Sequence, residues 1–152
     1  MSPKKNKITA EPFDDIQIIG INTSLEDYQL AWNINKALDI NLVKFSDIVT
    51  DSDSFSFYYF DIGENSNVFN LVALHNKNKK WVSFSPRTDF LLLIRNYISE
   101  EKLNVILKKI KKIPNIIHSY LIDLNDNDKI DIVLETVEFH EISILNQQNQ
   151  RY

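Results

Sequence analysis

The fold is decided by four stretches between Ser54 and Ile98: SFSFYYFDI (54–62), VFNLVALH (68–75), WVSFS (81–85) and DFLLLIRNYI (89–98). Each is short, rich in aromatic, leucine or β-branched residues, and bounded by Asn, Asp, Gly, Lys or Ser. That is the composition of a β-strand with turn chemistry at its ends. The links GENSN (63–67) and NKNKK (76–80) have hairpin length and are too short for the crossover of a parallel pair, so the strands are predicted to run antiparallel. In the first stretch Phe55, Phe57 and Tyr59 alternate with Tyr58, Phe60 and Ile62, so this strand is apolar on both faces and is expected to be covered twice.

Asn41–Phe45 reads as a further strand, and Asp15–Asn22, with its four isoleucines, as an N-terminal one. Ser24 is the expected N-cap of a helix over 25–38. That helix carries one apolar stripe of Leu25, Tyr28, Ala31, Trp32 and Leu38 and a second of Leu30, Ile34 and Ala37. Two stripes imply either three layers or one face kept for a partner. Ser99 caps a second helix to about Ile113, with Leu103, Ile106, Leu107 and Ile110 on one side and Lys108, Lys109, Lys111 and Lys112 on the other. Pro114 ends it. Asn115–Asp123 then reads as a strand, Lys129–Glu135 as its hairpin partner through alternating Ile130, Ile132 and Leu134, and 136–145 as strand or helix. The expectation is one α+β domain over 13–145, with a mostly antiparallel sheet of about six to eight strands and two main helices. A mobile tail (1–12) and a frayed tail (146–152) are expected to flank it.

Composition narrows the function classes. The chain has 152 residues, 43% of them hydrophobic and 25% charged, within the range of one packed domain. It has no Cys, which removes disulfides, thiol nucleophiles and thiolate metal sites, and suits a cytoplasmic setting. The longest apolar run, Phe90–Ile94, is far short of the ~20 residues of a membrane helix, and residues 1–11 lack the apolar core of a signal peptide. With only Gly20 and Gly63, no glycine-rich phosphate loop is present.

No catalytic, cofactor or metal motif emerges. Asp123–Asp131 places oxygen ligands at the first, third, fifth and ninth positions of a calcium-type loop, but Asp128 replaces the required Gly and Leu134 the bidentate Glu, so it reads as an Asx-rich turn. His75, His118 and His140 lack metal-ligand spacing and read as structural or surface residues. The carboxylate pairs Asp14-Asp15 and Glu26-Asp27 read as surface and cap, because neighbouring side chains diverge. Asn35, a polar amide within an apolar stripe, is expected to find its bonds in a core network.

Charge is distributed unevenly. Residues 76–112 hold ten Lys or Arg against Asp89, Glu100 and Glu101, about +7, whereas 123–141 hold seven acids against Lys129, about −6. Lys108, Lys109, Lys111 and Lys112, with the lysines of loop 76–80 and Trp81 as a stacking residue, are the nucleic-acid candidates. The net charge of −4 and the solvent side of an amphipathic helix weigh against that reading.

The run IQIIGINTSLEDYQLAWNINK (16–36) resembles the opening of the bacterial IPExxxVDY family, an apolar strand leading into SLEDY and a helix ending in Asn-Lys. DFLLLI (89–94) is similar to that family's VDY strand, and LKKIKKIPNI (107–116) to its later helix and following strand. The name-giving motif is shortened: Ser85-Pro86-Arg87 runs directly into Thr88-Asp89-Phe90, without the Glu and the spacer. The resemblance implies a small cytoplasmic protein of no established activity, and it brings no catalytic residues. The sequence therefore points to a non-enzymatic cytoplasmic domain without cofactor or metal, acting as an adaptor or by self-association through Leu30, Ile34 and Ala37. The alternatives are an RNA-associated accessory protein and a small-ligand binder with a pocket near Tyr28, Trp32 and Asn35.

Overall fold

The computed structural model describes residues 15–150, apart from 51, 52, 62, 64, 65, 78, 85 and 126. In chain order the elements are β1 (Ile16–Thr23), α1 (Asp27–Leu38), β2 (Val43–Lys44), β3 (Ile48–Val49), β4 (Ser54–Phe55), β5 (Phe57–Phe60), β6 (Val68–Ala73), β7 (His75–Asn76), β8 (Lys79–Lys80), β9 (Phe90–Arg95), α2 (Glu100–Lys111), β10 (Ile116–Leu121) and α3 (Asp128–Gln150). The expected tail 1–12 and residues 151–152 lie outside the described residues.

Six strands form one antiparallel sheet in the order β10-β1-β9-β6-β5-β2, and β3–β4 and β7–β8 form separate pairs. The middle strands are apolar at nearly every position because both faces are covered. Ile19, Ile21, Leu71, Leu92 and Ile94 pack with Leu30 and Ile34 of α1 and Leu103 and Ile110 of α2. On the opposite face Ile18, Val72, Leu91 and Leu93 pack with Ile130, Val133, Val137 and Ile144 of α3. Burying each such side chain contributes about 1.5–3 kcal/mol relative to leaving it wet. The result is a three-layer α+β domain, as the sequence predicts in class.

Several elements differ from the sequence reading. A third helix, α3, replaces the hairpin partner expected at 129–135 and continues to Gln150, through five residues of the expected frayed tail. Its start is set by Asn127, whose Oδ1 accepts from the Ile130 amide at 3.2 Å in the manner of an N-cap. Ser24 does not cap α1. The cap is Glu26, whose amide donates to Gln29 Oε1 at 2.9 Å, while Thr23 Oγ1 accepts from the Leu25 amide. The alternation across 54–62 breaks at Ser56, so Phe55 joins the α1/α2 core and Phe57 the α3 core instead of sharing a face. Described residues of 81–85 form no strand, and β6 stops at Ala73, leaving His75 to the β7–β8 hairpin. Ser99 caps α2 as expected, its Oγ accepting from the Lys102 amide at 3.2 Å.

Candidate functional site

The two stripes of α1 are divided otherwise than the contact reading requires. Leu30 and Ile34 are completely buried in the core and Ala37 packs against it, so these three residues form the inward face, and their assignment as a contact surface is corrected. The exposed apolar side of α1 is instead made by Tyr28 and Trp32, 65% and 60% exposed and one helical turn apart. Lys36 Nζ stands 4.5 Å from the centre of the Trp32 ring, a cation–π contact on the outer surface. Asn35 is engaged by the backbone: its Oδ1 accepts from the Leu42 amide at 2.7 Å and its Nδ2 donates to the Leu42 carbonyl, tying the end of α1 to the segment leading into β2. Nearby, burial pushes the Asp27 carboxyl up, but hydrogen bonds from Ser56 and Tyr58 and the charge of Lys44 outweigh it and hold the group below its ordinary value.

Lys108, Lys109, Lys111 and Lys112 are all exposed, at the C-terminal end of α2. Glu100 and Glu101 occupy its first turn, so the charge order complements the helix dipole and gives the lysines a structural reason. Trp81 is turned away from a stacking role by Phe55, on which it lies with ring centres 5.5 Å apart. The Asp123–Asp131 segment forms turn and cap bonds rather than a hairpin: Asp123 Oδ1 accepts from the Asn125 amide, and Asn127 Nδ2 donates to the Asp123 carbonyl. Among the described residues no group of three or more His, Cys, Asp or Glu side chains has a metal-binding arrangement.

A cleft of about 140 Å3 with mixed polar and apolar walls, which sequence reading missed, lies between the β7–β8 hairpin and the segment entering β9. At its floor is Asp89, whose Oδ2 accepts from the Thr23 amide at 3.0 Å and whose Oδ1 accepts from Arg87 Nε at 3.2 Å. His75 Nε2 lies 3.8 Å from the same carboxylate, and the imidazole meets the Phe90 ring edge-on. Thr88 Oγ1 donates to the Pro86 carbonyl and lies 2.7 Å from Tyr120 Oη. His75 and Asp89 are 14 positions apart in a chain offering no repeated motif at either, so only the β6–β9 pairing reveals their contact. The other histidines are held structurally. His118 stacks on Tyr120, and His140 bonds the Ser46 carbonyl and packs on Phe57, its pKa lowered by burial.

A second buried polar group lies under α3. Arg95 at the end of β9 donates through Nη1 to Glu141 Oε2 at 2.6 Å and to Asn70 Oδ1 at 3.3 Å. Burial pushes the Glu141 carboxyl up to about 7, against the opposing pull of Arg95 and Asn70. Among the described residues Glu141 Oε1 and Asn70 Nδ2 make no hydrogen bond of full bonding geometry, although the Asn70 amide lies close enough to lower the Glu141 carboxyl.

Among the described residues no helix is long and apolar enough to cross a membrane. No model of a known protein family matches the chain, and no curated protein matches it.

Proposed function

We propose that this is a non-enzymatic, cytoplasmic domain that works by contacting another protein through the outer face of α1. The exposure of Tyr28 and Trp32 carries the reading: two large aromatic side chains on one rigid helix face are the residue types that anchor protein interfaces. Lys36, standing over Trp32, favours a partner segment that presents an apolar side chain beside a carboxylate. Tyr28 closes the SLEDY run, so the resemblance to the IPExxxVDY family belongs to the same proposal and places this face at its most specific part.

The test is affinity purification of the tagged full chain from its own cells, with and without nuclease, beside two variants. One is Tyr28→Ser/Trp32→Ser; the other changes Lys108, Lys109, Lys111 and Lys112 to Glu. The expected result is a stoichiometric protein that survives nuclease, stays with the lysine variant and is lost from the aromatic variant. A partner lost with nuclease and with the lysine variant replaces this reading by RNA association. Retention by the aromatic variant, or no partner at all, overturns it.

A further inference from the structure

We infer that the cleft between the β7–β8 hairpin and the strand-entry segment before β9 binds the phosphoryl group of a small molecule. This site is separate from the α1 face and does not depend on it. Lys80 and Arg87 line the cleft, and Lys129 reaches its wall from α3, donating to the Ser83 carbonyl at 2.5 Å. Asp89 is the only carboxylate among the lining residues. Its side chain is 3% exposed and its oxygens are engaged by the Thr23 amide and Arg87 Nε, with His75 Nε2 at 3.8 Å, so it acts as an orienting group for the Arg87 guanidinium.

Because Asp89 takes the Nε of Arg87, both Nη groups of that guanidinium remain without a partner among the described residues, on a side chain that is 67% exposed. A planar fork with open donors matches two oxygens of a tetrahedral oxyanion, and Lys80 adds a point charge beside it. Ser83 adds a hydroxyl, while Val82 and Phe84 supply apolar wall that lowers the local dielectric. Lys80 and Arg87 in the lining, with Lys129 behind the Ser83–Phe84 wall, favour a dianion over a single carboxylate. They also make this a positive spot on a chain of net charge −4, so the local field opposes the global one. The cleft volume is below the ~300 Å3 of sites that enclose a whole ligand, so it suits a charged end group, with the rest of the molecule lying outside.

The experiment is thermal unfolding and calorimetric titration of the full chain with inorganic pyrophosphate, and separately with acetate, at constant ionic strength. Pyrophosphate at a hundredfold excess over its Kd is expected to raise Tm by about 5–10 °C, and acetate to leave it unchanged. Lys80→Gln, which removes no side-chain hydrogen bond seen among the described residues, is expected to weaken pyrophosphate at least tenfold, whereas Lys108→Gln/Lys109→Gln leaves binding as it was. Arg87→Gln is the second cleft variant, read only after its circular dichroism matches the parent, because Arg87 also holds Asp89. No rise with pyrophosphate, an equal rise with acetate, or equal losses in the cleft and α2 variants overturns the inference.

Discussion

Gly20 shows how one missing side chain organises this sheet. It lies on β1 opposite Tyr120 of β10, and the Tyr120 ring lies over it on the way to Thr88. A Cβ at position 20 would stand 2.9 Å from two carbons of that ring and 3.2 Å from Thr88 Cγ2. Gly20→Ala is therefore expected to displace the ring, break the Tyr120–Thr88 bond and cost about 1–3 kcal/mol, read from the midpoint of urea unfolding. An unchanged midpoint sinks this account. The sequence carried the signal, since a glycine inside an isoleucine-rich strand marks close approach, but it carried no indication of which side chain approaches. Asp89 was equally visible and equally opaque: its hydrogen bond to Thr23 spans 66 positions.

At the scale of elements, α3 is the largest departure from sequence reading. Ile130, Ile132 and Leu134 alternate like a strand over a short window, and only the longer series Ile130, Val133, Val137, Glu141 and Ile144 shows steps of three and four. The charged Glu141 interrupts that series because it faces Arg95 inside the core, so the residue that hides the helical period belongs to the buried ion pair. The two readings separate by substitution. Val133 is fully buried and Ile132 is 52% exposed, so Val133→Asp is expected to cost several kcal/mol and Ile132→Asp less than about 1 kcal/mol in the same unfolding assay. The reverse order of effects sinks the helix. By contrast β6, β9, α2 and the Ser99 cap were legible, because their patterns are long, uninterrupted and local.

For the molecule as a whole, the buried Glu141 ties stability to pH. Its carboxyl binds its proton more tightly in the folded chain, at about 7, than at the ordinary 4.5. The folded state therefore holds more protons between these values, so this group's contribution is fully present below pH 4.5, is lost as pH rises through 7 and is flat above it. The loss is on the order of 3 kcal/mol. Urea unfolding across pH 4–8 is expected to show the decline in the parent chain but not in Glu141→Gln, and parallel profiles for the two proteins refute it. Which outer faces stay exposed is also a whole-molecule property. The sequence shows two apolar stripes on α1, but only the sheet beneath decides that Leu30 and Ile34 go inward and leave Tyr28 and Trp32 in solvent.

The position of β1 bears on how the chain folds. β1 lies between β9 and β10, so among the described residues it pairs with 90–95 and 116–121 and with nothing nearer in sequence. Closing such long loops precedes any gain from the pairing, which makes folding slow relative to a helical bundle of equal length. The local β5–β6 hairpin is then the natural nucleus, and β1 is inserted late. Until α3 docks, Leu91, Leu93 and Val72 form a bare apolar surface. A nascent chain halted before Asp128 thus has the ten described strands but only one covered sheet face, the intermediate in which self-association competes most directly with completion of the fold.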